Sequence, residues 1–167
     1  MPGAPTFRSM IAAMAVSIGL AGIPSGALAA PPVVSNAYVQ LSGHVAIPDT
    51  DDAVTLSGLV HVVTRVVPAE DGHLITVYAN LPANVVAEGP DELHFIAHGA
   101  SKHADVHDIS NGEIVPCVMP GFTLLLAGRG QKNIAPIPFS IELQLTFSVA
   151  GELVAGTASA GGRPSLN

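Results

Sequence analysis

The chain has 167 residues, 49% of them hydrophobic, 11% charged and 4% aromatic, with no Trp, one Cys and a formal net charge of −7. Charge this sparse, against about 25% in an ordinary soluble domain, excludes a coiled coil or a solvated helical bundle, and the apolar content excludes a disordered chain. Six Lys+Arg cannot neutralise a phosphate track, so nucleic acid is excluded as a partner, and a lone cysteine closes neither an internal disulfide nor a Cys-based zinc site.

Residues 1–30 read as a secretory signal peptide. Arg8 is the only charge, an apolar run extends from Met10 to Leu20, and Pro24 and Gly26 break it. Ala27-Leu28-Ala29 offers the small-x-small pattern of a cleavage site, after Ala29 or Ala30. The run is shorter than the ~20 residues a spanning helix needs, and no later stretch reaches that length, so no transmembrane anchor is expected in the mature chain. Without residues 1–30, 137 residues and one arginine fewer remain, with a net charge of −8. That is one domain by size, expected over residues 31–158, with a frayed Gly/Ser/Pro tail at 159–167. The expected location is secreted or periplasmic.

The mature chain alternates at period two. Asn36 to Ile47 reads as a first strand, ended by Pro48 and an acidic Asp49-Thr50-Asp51-Asp52 stretch. Val54 to Val67 reads as a central strand with Leu56, Val60, Val62, Thr64 and Val66 inward. Glu70-Asp71-Gly72 turns it into His73 to Leu81, whose His73, Ile75, Val77 and Ala79 share a face. Leu93 to Gly99 is a further strand, and the polar stretch Ala100 to Gly112 reads as a loop. A short strand Glu113 to Val118 is disturbed by Pro116, which favours a sheet edge. Strands from Phe122 to Ala127, from Phe139 to Val149 and from Leu153 to Ala158 follow. The middle one is the cleanest, with Phe139, Ile141, Leu143, Leu145, Phe147 and Val149 on one side. Nothing repeats at a helical period. Seven or eight short strands predict an all-β, antiparallel two-sheet sandwich, immunoglobulin-like or jelly-roll-like.

The export segment, the strand Ser57-Gly58-Leu59-Val60-His61-Val62-Val63-Thr64 and the return Tyr78-Ala79-Asn80-Leu81 resemble small exported bacterial β-rich proteins of unassigned function. The resemblance implies no catalytic residues.

Histidine is the enriched reactive type, seven in all against six Lys+Arg. His94, His98, His103 and His107 fall in one stretch interleaved with Asp105 and Asp108. On a flexible loop, His98, His103 and His107 with Asp105 would fold back around Zn²⁺ or Cu²⁺, which suit imidazole and carboxylate. The bland alternative is a solvated loop. Asp49, Asp51 and Asp52 offer oxygen ligands for Ca²⁺, but the EF-hand glycine and terminal glutamate are missing, which favours an acidic hairpin tip. Cys117 follows Pro116 in an apolar run with nothing basic beside it, so it reads as a small buried hydrophobe. No Gly-x-Ser-x-Gly elbow occurs, Glu142 stands on the wet side of a strand, and aromatic platforms for sugar stacking are scarce, with no Trp and only Tyr38 and Tyr78 as tyrosines. The balance of these observations points to a non-enzymatic binding or interaction module for an unknown protein or small ligand. A histidine-rich metal-binding protein, a small hydrolase and a structural surface protein are the alternatives.

Overall fold

β-Branched and aromatic residues at every second position give each strand one apolar and one mixed side. The computed structural model describes residues 30–110, 112–127 and 134–161. The expected signal peptide and the end of the C-terminal tail lie outside the described residues. Eight strands follow in order: β1 (Val33–Ala46), β2 (Ala53–Ala69), β3 (Gly72–Asn80), β4 (Val86–Glu88), β5 (His94–His107), β6 (Ile114–Leu126), β7 (Ile137–Phe147) and β8 (Leu153–Gly161). A single 3₁₀ turn, Pro90–Glu92, is the only helical element among the described residues. No described helix is long and apolar enough to cross a membrane.

The predicted two-sheet sandwich is wrong. All eight strands belong to one sheet, and it closes. β1 pairs antiparallel with β2 along its whole length, Val33 against Val66 through Ala46 against Ala53. Its other edge pairs parallel with β8, Leu41–Gly43 against Ala158–Ala160. The wall therefore runs β1-β2-β3-β5-β6-β7-β8 and back to β1, a seven-stranded barrel, with short β4 bridging β2 and β5. Closure removes the unpaired edges that an open sheet must protect. One glycine makes the long-range seam possible. Gly43 has φ +148°, and a Cβ there would fall on the Ala160 carbonyl oxygen and lie 2.8 Å from the Ala160 nitrogen. Only glycine lets β1 approach β8 this closely.

The apolar faces expected for β2, β3 and β7 point into the barrel. Leu41, Leu56, Ile75, Leu124, Ile141, Leu143 and Leu145 fill it with Phe122, Phe139 and Phe147. A barrel of this strand number is just wide enough for side chains to fill. An apolar interior and a mixed exterior are the reverse of a barrel whose outside meets lipid.

Two other expectations change. The predicted loop Ala100 to Gly112 is strand as far as His107, because Asn80 to His73 of β3 pair with Ala100 to His107. The two short strands expected around Pro120-Gly121 are one, β6, with a register shift between Met119 and Phe122. The β5–β6 ladder covers only Phe95–Gly99 against Phe122–Leu126. Among the described residues, no ladder joins Ala100–His107 to Ile114–Met119. Pro116 and Pro120 lack amide donors, and residues four apart present them along the same strand edge. The expectation that Pro116 marks an edge holds for this half of β6. The tail also begins later than expected, since β8 runs to Gly161.

Candidate functional site

The sequence candidates for metal binding lie on β5 but are not gathered. His98 belongs to the outward set of β5, with His94 and Ile96, while His103, Asp105 and His107 take the inward parity of Phe95 and Ala97. A strand sets residues four apart roughly 13 Å from each other, so His103 and His107 cannot share an ion. The flexible loop that would have brought them together is a paired strand. Among the described residues, no three His, Cys, Asp or Glu side chains converge on a metal-sized space.

His107 instead stands opposite His73 in the β3–β5 register. Its Nε2 is 3.9 Å from Asp105, whose side chain is 63% exposed against 26% for the histidine. His73 Nδ1 and His107 Nε2 are buried and find no hydrogen-bond partner among the described residues. Ile109, two residues beyond the end of β5, is fully buried. Beside it, the backbone N–H and hydroxyl of Ser110 donate to Asp108. These bonds hold the Asp108 carboxyl below the usual carboxylate value, with a smaller contribution from His73.

Cys117 is 2% exposed on the inward side of β6, as the sequence implied. Burial pushes its thiol up to about 11, and the charge of Asp105 adds to the shift. A raised thiol pKa favours the folded state fully below the ordinary value of 9.0, and that contribution is lost as pH climbs from there towards 11. Iodoacetamide at pH 8 should leave the native thiol intact and label it after denaturation. Labelling of the folded protein at the denatured rate would contradict this burial. The acidic stretch Asp49, Asp51 and Asp52 is a hairpin tip between β1 and β2. It is held by Ile47 N–H donating to Asp52 O at 2.9 Å and by Thr50 Oγ1 donating to Ile47 O at 3.1 Å.

The most organised polar and aromatic cluster is on the outside, where sequence reasoning had not joined its members. Three rows cross the wall. Tyr38, His61, Asn80 and Ala100 form one, from β1 through β2 and β3 to β5. Asn36, Val63, Tyr78 and Lys102 form the next, followed by Val34, Arg65, Thr76 and Ala104. His61 is the hub. Its Nε2 lies 2.7 Å from Asn36 Oδ1 and its Nδ1 3.1 Å from Asn80 Oδ1. Which ring nitrogen donates to which amide depends on the tautomer and on how each amide is turned. The ring lies 5.0 Å from that of Tyr38, tilted by 33°. Lys102 Nζ sits 5.3 Å from the Tyr78 ring centroid, a cation–π contact.

Tyr38 remains 62% exposed and Tyr78 43%. A shallow recess between β2, β3 and β5 is lined by His61, Val63, Tyr78, Asn80 and Ser101. The strands expected for His61, Tyr78 and Asn80 were right, and the parity of each residue was readable. Which row met which was not, because register across β1, β2, β3 and β5 is a long-range property. Compared with known proteins, the chain matches no protein-family description, no curated protein and no solved structure.

Proposed function

We propose that this is an exported, non-enzymatic binding module that takes a saccharide on the outer face of β1, β2, β3 and β5. The observation that carries the reading is the convergence of both tyrosines of the chain, exposed, on a histidine fixed between two amides. Sugar rings present C–H faces that pack on aromatic rings, and hydroxyls that pair with amide and imidazole groups. The strands hold these side chains in place before a ligand arrives, which lowers the ordering cost of binding. Glycoside cleavage needs two carboxylates flanking one bond. The outward positions of β1, β2, β3 and β5 carry none, so the face suits holding a sugar rather than cutting it. Export rests on the apolar run and cleavage pattern of residues 1–30.

The test is calorimetric titration of the mature chain with a panel of neutral and acidic hexasaccharides. At least one should bind. Tyr38→Ala should weaken that binding by about tenfold, as expected for loss of an aromatic contact of ~1.4 kcal/mol, with the melting temperature unchanged. Binding by none of the panel, or equal binding by the variant, would overturn the proposal.

A further inference from the structure

The charge on the wall points to the kind of saccharide. The chain has 13 Asp+Glu, and all lie among the described residues. Ten of them stand in turns and loops outside the strands, and the other three are Glu88 on β4, Asp105 on β5 and Glu142 on β7. Asp105 takes the inward parity of its strand. Glu88 is outward but pairs with Thr55, at the far end of β2 from Arg65. The ten residue steps from Thr55 to Arg65 span roughly 33 Å.

The outer face around His61 is thus free of carboxylates, in a protein whose acids outnumber its bases. Arg65 and Lys102 are the only described Lys or Arg residues, and both stand at outward positions of this face, in adjacent rows. Neither makes a salt bridge among the described residues, where the one ion pair is His107 with Asp105. Both described cations therefore stand unneutralised on this face, Lys102 against Tyr78 and Arg65 in the next row, roughly 13 Å along β2 from His61.

We infer that the saccharide bound here is anionic, carrying carboxylates on its rings, with Arg65 and Lys102 receiving them. The inference rests on the saccharide reading above. Arg65 supplies a planar fork matched to a carboxylate, and Lys102 a point charge already held against Tyr78. The net negative charge of the chain does not oppose this, because potentials are set by local distribution and the turns that carry the acids lie beyond the Debye length of ~8 Å from much of the face.

The test compares a hexamer of galacturonic acid with its fully methyl-esterified counterpart, which keeps the rings and hydroxyls but removes the charge. The acid should bind about fivefold more tightly at low salt, a difference of ~1 kcal/mol from two exposed ion pairs. That preference should fade at about 0.3 M salt. In Arg65→Gln/Lys102→Gln the preference for acid over ester should fall to about one, whereas Glu142→Gln on the opposite wall should leave it intact. Equal binding of acid and ester by the wild-type chain overturns the anionic inference and leaves the saccharide reading standing. Binding of neither hexamer, nor of any other sugar in the panel, overturns both. Acid preference that survives the double substitution assigns the charge to residues other than these two and also overturns the inference.

Discussion

Gly43→Ala should open the barrel. The new methyl would overlap the Ala160 carbonyl oxygen and lie 2.9 Å from its carbon, at a φ of +148° that side chains rarely adopt. Both partners of the clash are backbone, so no rotamer change relieves it. The parallel contact between β1 and β8 covers only Leu41–Gly43 with Ala158–Ala160, and Gly43 is one of its three rungs. Steric overlap and backbone strain together should remove roughly 3 kcal/mol or more of stability. Urea denaturation measures this directly, and hydrogen exchange should show protection lost first in β8. Gly161→Ala is the control. A Cβ there meets nothing within 4 Å, so its stability should stay within about 0.5 kcal/mol of wild type. Equal denaturation midpoints for Gly43→Ala and Gly161→Ala would show that the seam does not hold the barrel closed.

Phe139→Ala should cost about 3–5 kcal/mol. Phe139 is fully buried on β7 and directly opposite Phe122 on β6. Their ring centroids are 5.7 Å apart, with the planes tilted by 36°. Truncation removes the apolar area and leaves a cavity enclosed by a closed wall, which has little freedom to collapse. The aromatic pair itself adds about 0.5–1.5 kcal/mol, which a double-mutant cycle with Phe122→Ala isolates. Val118→Ala, at an outward position of the same sheet, should change stability by no more than about 0.5 kcal/mol. A Phe139→Ala cost no larger than that of Val118→Ala would mean that the barrel interior is not the core.

Parity was the part of the fold that the sequence carried well. In β7, Phe139, Ile141, Leu143, Leu145 and Phe147 alternate with Glu142 and Gln144, and the structure buries the first set; Val149, expected on the same side, lies past the strand's end and is exposed, and Ser140, expected on the wet side, is buried with its hydroxyl donating to Gly161 O. The same holds for β2 and β3, because a strand's two sides are fixed by its own backbone geometry. Sandwich or barrel was a different kind of question. It turns on whether the first and last strands meet, and these lie more than a hundred residues apart along the chain. A glycine in the Ser42-Gly43-His44 stretch looks like any turn-prone or weak point in a strand. Its significance comes from Ala160, which the local pattern cannot bring to it.

The candidate site divides in the same way. Reading Ala100 to Gly112 as a loop followed from its polar composition and missing period. The cross-strand partners Leu74, Ile75 and Val77 of β3 override that local weakness and extend β5 to His107. With the strand in place, the proposed set of His98, His103, His107 and Asp105 is spread along it and across both its sides. The face around His61 had the opposite fate. Its members were visible singly, as an exposed-parity histidine, two scarce tyrosines and two asparagines, and only register assembled them.

By itself, the sequence determined an all-β chain, the inward side of its main strands, a buried Cys117 and an excess of acid over base. Each is a property of composition or of neighbours a few residues apart. The tertiary structure alone decided the closure of the wall, the separation of the metal candidates and the meeting of Tyr38, His61, Tyr78, Arg65 and Lys102. These depend on pairings between distant strands, whose free energy comes from burial and ladder bonds that no local segment contains. Net charge shows the difference most directly. It is a sum over the chain and argues against anionic partners, whereas folding sends most of the acids to the turns and places the two described cations, Arg65 and Lys102, on one face.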